Sequence, residues 1–392
     1  MAKIFKFLTG LVFLATIVAA VYIFVILPPK IDQSKNVVLP HTFTVSDKAK
    51  ALHKTLRLAD THDDMLLWKR KPEQRHDYGQ ADLPRLREGG FVLQVFSAVT
   101  FVPKGLNTGQ NERAKDQLKL LTLVQGWPAK TRNSILERAL YQATRLHRVQ
   151  AKEHGNFIIA KNKSDLKNGL DKHSTNKNVL IGILETEGAH PLEGKLANID
   201  VLYDAGYRMF GLQHFFDNEL GGSLHGVSKA GLTPFGKQVI AQMVNKGIII
   251  DVAHSSIKTV EDVLALTDVP IVISHTGLLG YCNHPKRNIP DRLMQQIADR
   301  GGLIGVGYWK TAACDPSPDG IAKMLIYGVN TFGADAIALG SDYDGAVTTQ
   351  FDASEISVLT DALLRNGMSE ANIRKVMGEN EIAFFLKNLP DE

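Results

Sequence analysis

The chain has 392 residues, 44% of them hydrophobic and 22% charged, an ordinary globular balance long enough to bury a large core. Its formal charge of +4 is small for that length. With no stripe of Lys and Arg interleaved with aromatics, the sequence excludes nucleic acid as the expected partner.

In chain order the first element is an apolar run from Phe7 to Leu27, preceded by Lys3 and Lys6 and followed by Pro28, Pro29 and Lys30. It has about the 20 residues a helix needs to cross a bilayer. Ala19 and Ala20 lie inside the run rather than at its end, so an uncleaved signal anchor fits better than a cleaved leader. The positive-inside bias keeps Lys3 and Lys6 cytoplasmic and places the rest of the chain in the periplasm or outside the cell. This divides the chain into residues 1–27, the cytoplasmic N-terminus and transmembrane anchor, 28–48, a polar linker, and 49–392, the folded domain.

Beyond the linker, short apolar runs rich in β-branched residues alternate with helical pattern. Strands are predicted at Leu58–His62, Phe91–Ser97, Val179–Leu184, Met209–Gln213, Ile248–Val252, Ile271–Ser274, Leu303–Val306 and Ala336–Leu339. Apolar on both faces, they suit a buried parallel sheet with helical crossovers. Thr233-Pro234 opens one helix that stops at Gly247, and Pro290 opens another that stops at Gly301 and Gly302. Residues 108–178, with helical pattern from Ala114 to Glu153, form a helical excursion between strands 2 and 3. Eight β/α units predict an α/β fold of the (β/α)8, TIM-barrel type, preceded by one transmembrane helix.

In such barrels chemistry gathers at the carboxyl ends of the strands. Here the first ends in Thr61-His62-Asp63-Asp64, the third runs into Glu185-Thr186-Glu187-Gly188, and the fourth ends at Gln213-His214. The fifth reaches His254, the sixth His275, and the eighth Ser341-Asp342-Tyr343-Asp344-Gly345. Any one of these alone reads as a hydrogen-bonded wall residue or a helix cap. Together, imidazoles and carboxylates at six strand ends suit zinc or a similar divalent ion. The pleat puts His62 and Asp64 on one face and turns Asp63 away. Glu185 and Asp251 read as supports for the ligands, and His190, His225 and His284 as ordinary loop histidines. Cys282 and Cys314 lack zinc-site spacing, and in an exported chain an even pair predicts one disulfide.

The motifs DTHDD, ETEGAH, GLTPFGKQVI, DVAHSS, ISHTG, KRNIPD and GSDYDG, in this order from about Leu58 to Phe385, resemble the membrane (renal) dipeptidases of the metal-dependent amidohydrolase superfamily. The resemblance implies a zinc-dependent dipeptidase in which a hydroxide shared by two ions attacks the peptide bond of a dipeptide. It implies His62 and Asp64 as ligands of one Zn2+, His254 and His275 of the other, and Glu187 as the bridge. His214 matches the position that steadies the tetrahedral intermediate, Arg287 the substrate contact and Asp342 the acid/base. Cys282 and Cys314 match a disulfide of the mammalian members. Mn2+ or Co2+ suits the same donors. Members often pair, so the resemblance allows a homodimer.

The sequence departs from the family where some mammalian members have a tyrosine, here Thr311, with Tyr308 or Trp309 nearby. It also carries its apolar segment at the N-terminus, where the mammalian enzymes use a C-terminal lipid anchor. Two other readings stand beside the dipeptidase: a related binuclear amidohydrolase such as an N-acyl amino acid deacylase or lactonase, and a catalytically silent membrane-anchored binding protein.

Overall fold

Eight runs without a polar face form a parallel sheet whose spatial order is its chain order. In the computed structural model, which describes residues 2–391, these strands are β1 (Leu58–Asp63), β2 (Phe91–Val99), β3 (Leu180–Glu187), β4 (Tyr207–Gly211), β5 (Ile249–Asp251), β6 (Val272–Thr276), β7 (Leu303–Val306) and β8 (Ile337–Leu339). Every residue in them is buried, as a sheet covered on both faces requires. All eight coincide with the predicted runs to within a few residues, and the sheet closes into a TIM-type barrel.

The closure between β8 and β1 is made differently from the other seams. Elsewhere backbone ladders join the neighbours. Here Thr61 Oγ1 lies 2.7 Å from the Leu339 carbonyl, and Asp64 N donates to the Tyr343 carbonyl at 2.9 Å. Asp60 accepts from Ser341 N at 2.8 Å and from Ser341 Oγ at 3.1 Å. Gly305 and Gly340 leave no Cβ where the Ser274 carbonyl comes close, which lets β6, β7 and β8 approach at this point.

The crossover helices follow their caps. Thr233 Oγ1 accepts from Gly236 N at 3.0 Å ahead of the helix Pro234–Lys246, which ends at Gly247 in the left-handed region. The helix Asp291–Asp299 starts after Pro290 as predicted. The excursion is helical as expected, in pieces: Leu118–Val124, a 3-10 turn Ala129–Arg132 and Ile135–Lys152. Gly126 and Pro128 interrupt it, and Ser134 caps a new start by accepting from Glu137 N at 3.2 Å. It also contains a short strand, Phe157–Ile159, which pairs with the start of β3.

The N-terminal helix does not stop at the prolines. It runs from Lys3 to Lys35, long and apolar enough to cross a membrane, with none of its apolar window buried against the barrel. A wide π turn at Tyr22–Ile26 precedes Pro28 and Pro29, loosening the helix where their rings would clash. Part of the 28–48 stretch is therefore helical, and Val37–Val38 pairs with Thr348–Thr349 of the barrel.

Candidate metal centre at the barrel mouth

The carboxyl ends of β1, β3, β5 and β6 bring five predicted residues to one point. Around Glu187 Oε1 stand three imidazole nitrogens: His254 Nε2 at 3.3 Å, His275 Nε2 at 3.6 Å and His62 Nε2 at 3.7 Å. Asp64 Oδ1 lies 3.7 Å from His62 Nε2. Asp342 joins His62 and Asp64 in one cluster, and His214 joins Glu187 and His254 in another. All are buried.

Hydrogen bonds behind the imidazoles fix which nitrogen faces the centre. His62 Nδ1 lies 3.0 Å from Glu185 Oε2, and His275 Nδ1 lies 2.9 Å from Ser274 Oγ, whose hydroxyl donates to Asp251 Oδ2 at 2.8 Å. Each Nδ1 therefore carries the proton, and each Nε2 presents a lone pair. Asp251 also accepts from Ala253 N and Ser274 N, so it locks β5 to β6 under the ligands.

Few donors meet these lone pairs, and the His254 ring, with no partner at Nδ1, is free to turn a lone pair to the same centre. His254 Nε2 and His275 Nε2 stand 2.8 Å apart, and His62 Nε2 and Asp64 Oδ1 are buried without a hydrogen-bond partner. A neutral cluster of acceptors packed this closely repels itself, and a divalent cation is the group that satisfies it. The donor set, nitrogen and carboxylate with no sulfur, fits a metal of the zinc type.

Burial and mutual repulsion raise the carboxyls, which a cation would reverse, and lower the imidazoles, which a cation would reinforce. Burial, then Asp64 and Asp342, hold the Glu187 carboxyl well above its ordinary range. Burial and neighbouring Asp344 push Asp64 up to about 7. Burial keeps His62, His254 and His275 neutral, the state that ligates.

Two site residues hold unusual backbones. His254 has φ 62° and Asp342 φ 59°, left-handed values that non-glycine residues rarely adopt and that cluster at functional sites. Gly188, at φ 77°, gives the turn after Glu187 the freedom it needs.

Around the cluster, Arg287 is buried, donates to the His275 carbonyl and lies 5.0 Å from the Trp309 ring. Trp309 in turn faces His275 at 6.0 Å. Tyr308 is turned away, packed between Tyr343 and Phe351, so Trp309 alone of the two lies near the mouth. Cys282 and Cys314 form a disulfide that ties the loop after β6 to the loop after β7.

The structure corrects one reading. His190 and His225 are not surface histidines: His190 packs against Phe101 and Phe216, and His225 stacks on Phe215 at 4.7 Å beside His254. Their loops fold inward over the mouth, which loop assignment alone does not reveal. Phe215, next to His214, was missed for the same reason.

Residues 46–386 match the family model described as membrane dipeptidase, peptidase family M19. Among curated proteins the chain is 26% identical over 376 residues to dipeptidase aclJ of Aspergillus oryzae, covering 87% of this chain and 82% of that one. Two solved structures share the fold. One is the probable dipeptidase PvdM from Pseudomonas aeruginosa, with TM-score 0.72 and 20% identity over 87% of this chain and 98% of that one. The other is a metallo peptidase from Rhodobacter sphaeroides liganded with a phosphinate mimic of the dipeptide L-Ala-D-Ala, with TM-score 0.68 and 24% identity over 86% and 99%.

Proposed function

Because the chain belongs to the membrane dipeptidase family, metallopeptidases that hydrolyse peptide bonds, we propose that it is a binuclear zinc dipeptidase acting on free dipeptides. The observation that carries this reading is the convergence of three imidazole nitrogens on one oxygen of Glu187. His62 and Asp64 would hold one ion, His254 and His275 the other, and Glu187 would bridge them. When bound, such a pair supplies an acidified water and Lewis acidity toward a scissile carbonyl.

The chain's own residues then do the rest. Asp342 takes a proton from the nucleophile side and returns it to the departing amine, which must leave neutral. Burial and Asp64 raise its carboxyl well above the ordinary range while Arg287 opposes them, so a held proton is stable there. His214 faces two acceptors, Glu187 Oε2 at 3.2 Å from Nε2 and the Phe101 carbonyl at 3.4 Å from Nδ1. The Phe101 carbonyl holds a proton on Nδ1, and Nε2 stands at the mouth, where it would donate to an oxyanion once protonated. Arg287, lowered to about 10 by burial against the pull of Asp342 and Glu187, remains a cation at neutral pH. It offers its planar fork to a substrate carboxylate.

The N-terminal helix supports membrane anchoring, with Lys3 and Lys6 on the cytoplasmic side and residues 49–392 exported. The disulfide suits that oxidising compartment. Carbonate-washed membranes retaining the full chain, with the barrel open to added protease only from the outer side, would agree with this; release by carbonate would not.

The test of activity is the purified full chain, replete with metal, against dipeptides of both L and D residues and against N-acyl amino acids. Turnover of dipeptides with two metal equivalents bound is the expected result. Activity on the N-acyl set alone would replace the dipeptidase by a deacylase.

A further inference from the structure

The N-terminal helix ends inside the catalytic domain rather than beside it. Asp32 is buried, its Oδ2 2.7 Å from Arg70 Nε and its Oδ1 accepting from Asn36 Nδ2 at 2.8 Å. Arg70, itself buried, reaches on: its Nη2 lies 2.7 Å from Asp344 Oδ2, and its Nη1 donates to the Ala81 carbonyl at 2.9 Å. Asp344 stands two residues beyond Asp342.

The loop that carries Asp342 is strained along its length. Asp342, Asp344 and Ala346 have φ of 59°, 61° and 60°, so three alternate non-glycine residues are left-handed. Such a backbone persists only where its surroundings over-determine it. The barrel contributes part of that restraint, since Gln80 N donates to Asp344 Oδ1 at 2.9 Å, Gln80 Oε1 accepts from Asp344 N at 2.8 Å, and Trp68 Nε1 donates to the Asp344 carbonyl at 2.6 Å. The N-terminal segment contributes the remainder. Asp32 holds Asp344 through Arg70, and Asn36 Oδ1 accepts from Ala346 N at 2.9 Å. Nearby, Lys69 Nζ donates to the Phe24 carbonyl at 2.6 Å and Ile31 packs against the cluster of Leu67, Trp68, Val99, Leu118 and Trp127, so the same face of the barrel is docked on the helix. Both Asp32 and Asn36 precede the family-matched region, which starts at 46.

We propose that Asp32 and Asn36 are positioning residues for the catalytic centre, holding the Ser341–Ala346 loop in the left-handed form that presents Asp342 to the ligand cluster. This rests on the reading of Asp342 as the acid/base. It makes the segment that leaves the membrane a working part of the enzyme rather than a tether. A chain cut between the helix and Val37 would keep its metal ligands and lose turnover.

The test uses the full chain in detergent, comparing Asp32→Asn, Asn36→Ala, Asp342→Asn and the double variant Asp32→Asn with Asp342→Asn. Asp32→Asn should lower kcat about tenfold with KM changed less than about twofold, the signature of a misplaced catalytic group rather than a lost substrate contact. Asn36→Ala, which leaves no buried charge unpaired and so guards against simple misfolding, should show the same signature with a smaller loss of about threefold. In metal-free protein, amide exchange across 341–347 should quicken in both. The double variant should be no slower than Asp342→Asn alone, because a residue that acts through Asp342 has nothing left to position. Parent kcat in Asn36→Ala and in folded Asp32→Asn, or a double variant whose losses multiply, would overturn the proposal. Parent turnover in Asp342→Asn would instead overturn the acid/base reading beneath it, so the two failures are told apart.

Discussion

Strand β1 and the residue after it bring Asp60, His62 and Asp64 to the same interior, and its two carboxylates, Asp60 and Asp64, live in opposite circumstances. Asp60, one layer beneath the mouth, accepts from His62 N at 3.0 Å, Gln94 Nε2 at 3.1 Å, Ser341 N at 2.8 Å and Ser341 Oγ at 3.1 Å. Asp64, at the mouth, leaves Oδ1 without a donor. Burial raises both, Asp60 to about 6 and Asp64 to about 7. Burial and a shifted carboxyl therefore do not distinguish structure from chemistry. What distinguishes them is whether the neighbours are donors or further acceptors. Beneath the mouth they are amides and a hydroxyl, and the carboxylate fastens strands together. At the mouth, the Ser97 hydroxyl apart, they are lone pairs, a set that a cation would complete.

The contrast breaks most decisively if mouth residues can be removed without loss of metal. Glu187→Ala should drop metal content below the two equivalents expected of the parent and abolish turnover, read by elemental analysis and dipeptide assay. Asp342→Asn should keep both ions yet lose about 10²- to 10³-fold in kcat, the usual worth of a positioned acid/base. Metal loss in Asp342→Asn, or undiminished turnover, would place it among the ligands or outside the chemistry.

The disulfide sharpens the contrast by bracing the mouth from outside. Cys282 and Cys314 are separated by 32 residues. By the loop-closure relation, replacing both with Ser should cost about 3–4 kcal/mol in denaturant unfolding while leaving metal stoichiometry alone. Beneath the mouth, Asp60→Ala would strand the Ser341 amide, the His62 amide and the Gln94 side chain. A loss of about 2–3 kcal/mol is expected, with both ions retained. If Asp60→Ala instead empties the metal centre as Glu187→Ala does, the two layers are not separable.

The smallest effect lies at the far end of the barrel. His53 sits between Thr360 Oγ1 at 2.8 Å and the Gly89 carbonyl at 3.0 Å, and burial lowers its pKa from 6.5 against the opposing Gly89 bond. The folded state keeps this ring neutral where the unfolded chain already binds a proton, so stability falls as pH drops below 6.5. His53→Gln should show a shallower decline in unfolding midpoint between neutral and mildly acid pH than the parent. An identical slope would remove His53 from that dependence.

The barrel was legible in the sequence because a strand buried on both faces needs an unbroken apolar run, and eight such runs carry that signal. The mouth was legible because His62, Glu187, His254 and His275 follow those runs directly. What escaped had weaker or longer-range causes. Phe157–Ile159 is three residues inside the helical excursion, too short for a period to show. The helix passes Pro28 and Pro29 because a π turn absorbs the clash, and no residue type announces that turn. The pairing of Asp32 with Arg70 joins positions 38 residues apart in sequence, and the burial of His225 depends on how a loop folds back. Pattern reading senses neighbours along the chain. It does not sense these.

The seam between β8 and β1 has a consequence in time. Its partners, Asp60 and Ser341, lie 281 residues apart, so synthesis delivers them at opposite ends of the process. Contacts of such separation form late, after the loops between them have been closed. Asp342 meets His62 and Asp64 across that same seam. Until the ring shuts, a nascent chain thus holds His62 and Asp64 apart from Asp342, the last member of the cluster to be made.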